Sequence, residues 1–340
     1  MQEHANGIKA IKPVHLDFIS PGPINLVTTK LLNKFHPWIT ATSRAIPAPE
    51  HLHKIHKLPP ELKKFTLPII PNTDFMYALK AGGPEEHKYK REFSDLKFIA
   101  SKPVTSQGIF AIDPGLQTPE QLEGKRIGVV PKASSHWIWT HAILRDAWNI
   151  YDKVTLITCP TPMHGIEKLM SGETDATMWG PFIYETIDGN GFSTRPGLKI
   201  LEGKKIHWIS LSLEDVDKIN RANPWKMGRL LMPKGSLRSE GVTAMDPPED
   251  VGLVDFNVAI CAWDSTDDHV VYELLRFLDA KSSLWPEFSG GRPMSLARMS
   301  SYPGLTKDMV HPAALKYYKE NGIQVGREVV LHRMNNPKVE

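Results

Sequence analysis

Short apolar runs alternate with stretches of helical periodicity through the first half of the chain, and this alternation limits the fold more than any other feature. VHLDFIS (14–20), WITATSRAI (38–46) and TLPIIPN (66–72) are predicted strands, each followed within a few residues by a predicted helix. The pattern resumes after residue 120, where the strong amphipathic helix SSHWIWTHAILRDAWNI (134–150) stands between two further strands. Strands that alternate with helices across short connections favour an α/β fold with mainly parallel sheets.

The length of the chain predicts two lobes joined by two hinge strands. Its 340 residues exceed the roughly 250–300 residues that one hydrophobic core holds. Two isolated apolar strands, QGIFAID (107–113) and DFNVAICAW (255–263), are placed to cross between the lobes. The expected division is a disordered tail at 1–13, a first lobe at 14–106 and 259–340, and a second lobe at 107–258.

Composition argues against several classes of protein. The 41 Lys and Arg residues nearly balance the 38 Asp and Glu residues, which disfavours a nucleic-acid binder. No apolar run approaches the roughly 18 residues of a membrane span, so the chain is not expected to cross a membrane. The two cysteines, Cys159 and Cys261, are expected to be free thiols.

The sequence contains none of the usual motifs of catalysis or metal binding. It has no P-loop, GxGxxG loop, GxSxG elbow or HExxH helix, so we expect neither an enzyme nor a cofactor. His51, His53 and His56 form a cluster, but they are mixed with Lys54 and Lys57. This mixture favours a solvated basic helix face over a metal site.

The N-terminal segment leaves the location of the chain open. Residues 1–13 contain no apolar stretch of the kind that an export signal carries. The chain as written would stay in the cytoplasm, and a mature form whose export signal has been removed would look the same.

Two strand-to-helix junctions are candidate anion sites. Ser20-Pro21-Gly22-Pro23 follows the first strand, and Lys132-Ala133-Ser134-Ser135 precedes the 134–150 helix. Helix N-termini carry unpaired N–H groups and the positive end of the helix dipole, so they hold carboxylates well. The alternative is that Ser134 or Ser135 only caps its helix.

Aromatic and cationic side chains stand near these junctions. Trp137 and Trp179 could form walls for an apolar part of a ligand, whereas the helical spacing of Trp139 favours packing in the core. Arg44, at the end of the second strand, could pair with a ligand carboxylate. An ordinary exposed surface arginine is the alternative for Arg44.

Four stretches of the chain resemble one protein family. They are LEGKRIGVVPKASSH (122–136), IEKLMSGETDATMWG (166–180), NPWKMGRLLMPKGSL (223–237) and, most specifically, VHPAALKYYKENGI (310–323). The chain resembles the TAXI group (TRAP-associated extracytoplasmic immunogenic proteins), the receptors of TRAP-type transporters. The resemblance implies a two-lobed type II periplasmic-binding-protein fold and a monomeric periplasmic receptor, its export signal removed, that delivers a small organic acid to the membrane permease subunits.

The resemblance and the junctions together give a set of candidate ligand-binding residues. SPGPINL (20–26), ASSH (133–136) and SRAIPAPEHL (43–52) depart from the usual ligand loops of the family, and the added bulk at Ile24 and Trp137 favours a more apolar or aromatic ligand. The candidates are Pro21, Gly22, Pro23, Asn25, Ser43, Arg44, Asn72, Thr73, Asp74, Ser134, Ser135, His136, Trp137 and Trp179.

Two other functions compete with the receptor. One is an enzyme on the same fold, similar to the pyrimidine synthase of thiamine biosynthesis, which uses a cysteine-rich motif that is absent here. The other is a ligand sensor that signals to a membrane partner.

Overall fold

The computed structural model describes residues 12–20, 26–46, 48–186, 189–193, 198–238, 246–284 and 295–325. Four of the candidate ligand-binding residues, Pro21, Gly22, Pro23 and Asn25, lie outside these ranges, as does most of the predicted tail.

The described residues form an α/β fold. The strands are β1 (Val14–Ser20), β2 (Ile39–Ala45), β3 (Thr66–Pro71), β4 (Leu96–Ala111), β5 (Arg126–Val129), β6 (Thr155–Thr158), β7 (Ala176–Trp179), β8 (Phe182–Thr186), β9 (Gly189–Ser193), β10 (His207–Ile209), β11 (Arg229–Met232), β12 (Leu237–Arg238) and β13 (Val251–Trp263). The α-helices are α1 (Leu26–Phe35), α2 (Glu50–His56), α3 (Pro60–Lys63), α4 (Asn72–Lys80), α5 (Ser135–Ala142), α6 (Pro162–Met170), α7 (Leu213–Ala222), α8 (Asp268–Ala280), α9 (Leu296–Met299) and α10 (Pro312–Glu320).

Two parallel three-stranded units carry the helices. In the first unit β1 pairs in parallel with both β2 and β3, and in the second β5 pairs in parallel with both β6 and β7. Each unit is extended by a long antiparallel strand, because β13 pairs with β3 and β4 pairs with β7. β4 and β13 also pair with each other, so they join the two units into one curled sheet. The prediction of an α/β fold with two mainly parallel sheets joined by two strands is confirmed.

The first of the two joining strands is longer than predicted. The stretches 96–103 and 107–113 look like separate strands in sequence because Pro103 lies near the gap, but β4 runs unbroken from Leu96 to Ala111. The pairing register with β13 shifts between Phe256 and Asn257, opposite Pro103. A proline has no N–H to give to the ladder, and a bulge is where a strand tolerates it.

Both joining strands change partners along their length. β4 pairs with β13 up to Gln107 and with β7 from Gly108 onward. β13 pairs with β11 up to Val254 and with β3 from Val258. β4 therefore reaches the second parallel unit at Gly108, and β13 leaves β11 after Val254 and reaches β3 of the first unit at Val258.

The predicted helix at 134–150 is wrong in its second half. The α-helical hydrogen bonds end at Ala142, and the next turn, Ile143–Ala147, is π-helical. There the amide of Trp148 bonds to the carbonyl of Ile143, five residues back. π-Helical turns of this kind occur inside α-helices and are frequent at functional sites.

The apolar core is continuous across both units. One cluster of buried side chains reaches from β1 and α1 through β13 to α5, and Trp139 is fully buried within it, as its spacing predicted. A second cluster packs on the far side of β4, around Phe110 and Trp208. Among the described residues, no helix has the length and apolar character needed to cross a bilayer.

Candidate functional site

The first turns of α4 and α5 meet at the strands that join the two units. β3 ends at Pro71 and α4 begins at once, and the loop after β5 leads into α5 at Ser135. Asn72 donates a hydrogen bond to the carbonyl of Lys226 (3.2 Å), beyond residue 107 in the chain. Of the two predicted anion junctions, Lys132–Ser135 therefore lies near the start of α4, while most of the other, Ser20–Pro23, lies outside the described residues.

A buried carboxylate, that of Asp74, stands at the centre of this meeting point. The side chains of Asp74 and His87 are both fully buried and form an ion pair through Nε2 of His87. The Tyr89 hydroxyl donates a second hydrogen bond to Asp74 (2.8 Å). The other ring nitrogen of His87, Nδ1, lies 2.8 Å from the carbonyl oxygen of Ala133, in the loop that leads into α5.

These contacts favour the charged form of both members of the pair. Burial alone would raise the pKa of Asp74, but the charge and hydrogen bond of His87, with the nearby Ser135 hydroxyl, lower it below its usual value. Burial alone would lower the pKa of His87, but Asp74 and the Ala133 carbonyl raise it. Both ring nitrogens of His87 face acceptors, which is the arrangement of a doubly protonated imidazolium.

The N-terminus of α5 is capped as one of the two interpretations of the sequence expected. The Ser134 hydroxyl accepts a hydrogen bond from the backbone N–H of His136 (3.3 Å), so Ser134 is an N-cap. Ser135, the first residue of the helix, is buried and faces Asp74. Thr73 also contacts this carboxylate through its hydroxyl (3.5 Å). The positive end of α5 thus already faces a carboxylate of the protein itself.

Aromatic rings from four segments pack beside this network. His136 stacks on Phe256 of β13 with ring centroids 4.6 Å apart, and Trp139 contacts the same ring. Trp225 bridges the two sides, since its ring lies 5.9 Å from that of Trp139 and 6.5 Å from that of Tyr77 on α4. The meeting point combines a buried charge pair with an apolar wall.

A second buried carboxylate lies on β13. Asp255 accepts a hydrogen bond from the backbone N–H of Gly228 (2.7 Å) and another from the Asn257 amide. Burial raises its pKa to about 6, although the Gly228 N–H, the charge of Arg298 and the Asn257 amide act in the opposite direction. Arg298 is itself buried, on the short helix α9.

The raised pKa of Asp255 predicts a stability effect. A folded-state pKa of about 6 against a usual 3.8 means that ionising this carboxyl opposes folding, and the cost grows as pH rises through about 6. Asp255→Asn should therefore raise the free energy of unfolding at pH 8 by about 2–3 kcal/mol. The gain should shrink toward pH 4, where the carboxyl is protonated in the wild type. Urea unfolding at pH 8 and pH 4 measures the gain in stability. An equal gain at both pH values would contradict the raised pKa of Asp255.

Sequence reasoning missed five members of this site: His87, Tyr89, Asp255, Asn257 and Arg298. A signal was present for two of them, because Asp255 and Asn257 interrupt the apolar strand DFNVAICAW and neither is expected in a buried strand without a partner. The other three stand in loops or a short helix, where spacing carries no information about their contacts.

The candidates on β2 lie away from Asp74. Arg44 is exposed and forms an ion pair with Asp17 of the neighbouring strand, with Nε of Arg44 3.3 Å from the Asp17 carboxylate. Ser43, half-buried, pairs in register with Phe18. The role of Arg44 and Ser43 in ligand binding stays a prediction.

The two candidate tryptophans also face other neighbours. Trp137 is buried and stacks with His141 (5.4 Å between ring centroids), on another side of α5 from His136. Trp179 ends β7 and belongs to the second apolar cluster. Their contacts to a ligand stay a prediction.

The described residues contain no group of three or more His, Cys, Asp and Glu side chains that could hold a metal ion. In the predicted basic face, His51 is buried and His53 packs on Phe93 (5.4 Å between centroids). Both cysteines are buried free thiols, as expected, and burial raises the pKa of each.

The chain resembles solved structures in the path of its backbone. No protein-family profile matches the chain, and no curated protein matches it by sequence. The periplasmic aliphatic sulphonate binding protein SsuA from Escherichia coli is 14% identical with a TM-score of 0.47, over 95% of this chain and 97% of that one.

Two further solved structures are similar to the same degree. MatC from Rhodopseudomonas palustris, solved with bound malate, is 12% identical with a TM-score of 0.47, over 96% of this chain and 98% of that one. The periplasmic binding protein BugD is 12% identical with a TM-score of 0.46, over 92% and 98%. At this level of similarity, function has to be inferred from the chain's own contacts.

Proposed function

We propose that the chain is an extracytoplasmic solute-binding receptor that captures a small organic acid between two lobes. In this proposal it acts as a monomer in the periplasm and delivers the acid to the permease subunits of a TRAP-type transporter. It makes and breaks no covalent bond. The proposal combines the sequence resemblance to the TAXI group with the contacts around Asp74.

One observation carries the proposal. The N-termini of α4 and α5, each at the carboxyl end of a parallel sheet, converge on buried polar groups beside the two joining strands. Ligands of open α/β sheets bind at the carboxyl ends of strands, and pockets favour the boundary between two structural units. A receptor that closes on its ligand needs this arrangement.

The proposed lobes follow the partner changes of the joining strands. The first consists of residues 14–106 and 259–340, and the second of residues 107–258. β4 changes partner between Gln107 and Gly108, which supports the first of these boundaries. Contacts from both lobes to one ligand would shift the population toward the closed state.

A thermal-shift screen tests the receptor. Malate, adipate, glutamate, benzoate and methanesulfonate are added to the purified chain in separate samples. A ligand at about 100 times its Kd stabilises the folded state by about 2.7 kcal/mol, which raises the melting temperature. A rise with one or more carboxylic acids is expected. A rise with methanesulfonate alone would mean that the ligand is a sulfonate and not a carboxylate. No rise with any of these acids would overturn the proposal.

Arg44 gives a prediction for the acid found in that screen. Arg44→Ala should weaken its binding more than about tenfold by calorimetry, because a bidentate guanidinium–carboxylate contact is lost. The matched control is Asp17→Asn, which removes the present partner of Arg44 and leaves the guanidinium in place. Unchanged affinity in Arg44→Ala would mean that Arg44 pairs with Asp17 and does not bind the ligand.

The rival enzyme has less support. Cys261 is fully buried with a pKa well above its usual value, and Cys159 is buried with a raised pKa, so neither is a ready nucleophile. Both ring nitrogens of His87 are engaged by Asp74 and Ala133, which leaves none for a substrate.

A further inference from the structure

We propose that the contact between His87 and the carbonyl of Ala133 is a proton-dependent latch that holds the two lobes together. The inference rests on the proposed function, because it takes residues 72–89 and 131–135 to belong to different lobes. Through this latch, pH controls the closure of the lobes even when no ligand is bound.

The latch follows from the two acceptors that flank one imidazole ring. Nε2 of His87 faces the Asp74 carboxylate, and Nδ1 lies 2.8 Å from the Ala133 carbonyl oxygen. Each contact requires a hydrogen on the ring nitrogen, since both partners only accept. A ring with one proton must direct a lone pair at one of the two oxygens, whichever nitrogen keeps the hydrogen.

Asp74 decides which contact fails. Its carboxylate lies in the same lobe as His87 and is also bonded by Tyr89 (2.8 Å), so it stays ionised and attracts the remaining proton to Nε2. Nδ1 of the neutral ring then faces the Ala133 carbonyl without a hydrogen. The contact between the lobes turns from a charge-assisted hydrogen bond into a repulsion between two lone pairs.

The contacts that accompany the latch differ in their response to pH. The exposed ion pair of Glu86 with Lys132 (2.9 Å) links the same two segments. The lowered pKa of Glu86 and the raised pKa of Lys132 keep it charged across the neutral range. The amide of Asn72 bonded to Lys226 does not titrate. These contacts limit the separation but do not supply its pH dependence.

Several other titratable groups surround the latch. Tyr89, Cys261 and Tyr302 are buried, and their raised pKa values keep them neutral. Burial raises the pKa of Asp255 to about 6. Burial lowers the pKa of His141, which interacts with Glu86 and Lys132, and that of His53, whose ring lies 6.4 Å from that of Tyr89. An experiment on the latch must therefore separate His87 from these three groups.

Distance measurements on the ligand-free chain test the latch. Spin labels are attached at Glu61→Cys and Lys204→Cys, two exposed positions on either side of the contact, and the native cysteines are buried. The ratio of the closed to the open population should fall about tenfold between about pH 6 and about pH 9, the change expected for one charge-assisted hydrogen bond. Circular dichroism checks that the chain stays folded.

Two variants test whether the pair of Asp74 and His87 causes the change in distance with pH. Asp74→Asn with His87→Gln removes both charges and should make the distance distribution independent of pH. Asp255→Asn should leave the wild-type change intact. A pH-independent wild type, or an equal change in the double variant, would overturn the latch. A chain that opens with pH but binds no acid in the thermal-shift screen would keep the latch and refute the receptor.

Discussion

Asp74→Ala should lower the free energy of unfolding by about 3–5 kcal/mol at pH 6, because it leaves a buried partner without its counter-charge. His87, also fully buried, would have to lose its proton, and the Tyr89 hydroxyl would lose its acceptor. Urea unfolding followed by circular dichroism measures the change.

The loss of unfolding free energy in Asp74→Ala should depend on pH. The folded-state pKa of Asp74 is lowered from 3.8 and that of His87 is raised from 6.5, so the pair contributes most between these two values. Its contribution is lost as pH rises through the raised pKa of His87, and again as pH falls through the lowered pKa of Asp74. The difference between Asp74→Ala and the wild type should therefore shrink toward pH 9 and toward pH 2.

Glu86→Ala provides the matched control. Glu86 is also an acidic side chain that reaches the loop before α5, but its ion pair with Lys132 is exposed to solvent. Exposed pairs contribute little because water and salt screen them, so this variant should unfold like the wild type. An equally stable Asp74→Ala variant would mean that His87 finds another arrangement, and the charge pair would not hold these segments together.

The fold was predictable because its signals are local. Apolar runs and helical spacing place β1 and β3 within one residue of their observed bounds. The errors occur where pairing at a distance overrides a local signal. Pro103 marks a break in sequence, yet β4 continues through it because ten residues of β13, Val254 to Trp263, pair with it.

The candidate site was less predictable because its partners are far apart in the chain. The junctions at Asn72 and Ser135 could be found from the ends of predicted strands. The partner of Asp74 stands thirteen residues later, at His87, and that of Arg44 stands 27 residues earlier, at Asp17. Spacing in one sequence does not reveal which charged side chains meet across a sheet or between two loops.

Gly180 shows how closely the second unit is fitted to the joining strand β4. It follows β7 directly, and a β-carbon built on it would stand 1.9 Å from the backbone carbonyl oxygen of Ser106. The neighbouring Pro181 carbonyl accepts hydrogen bonds from the backbone N–H of Ser106 (2.9 Å) and from the Thr105 hydroxyl (2.9 Å). β4 is thus fixed to the β7–β8 turn at the place where it changes partner.

Gly180→Ala should lower the free energy of unfolding by at least about 3 kcal/mol, because the atom that it meets is backbone and cannot rotate away. The matched control is Gly115→Ala, whose β-carbon would meet only the side chain of Asp113, at 3.2 Å. That variant should stay within about 1 kcal/mol of the wild type. Because the turn anchors the residues that precede the partner change at Gly108, Gly180→Ala should also broaden the spin-label distances between positions 61 and 204. Wild-type stability and distances in Gly180→Ala would mean that β4 moves freely past the turn, and the crossing would not be anchored there.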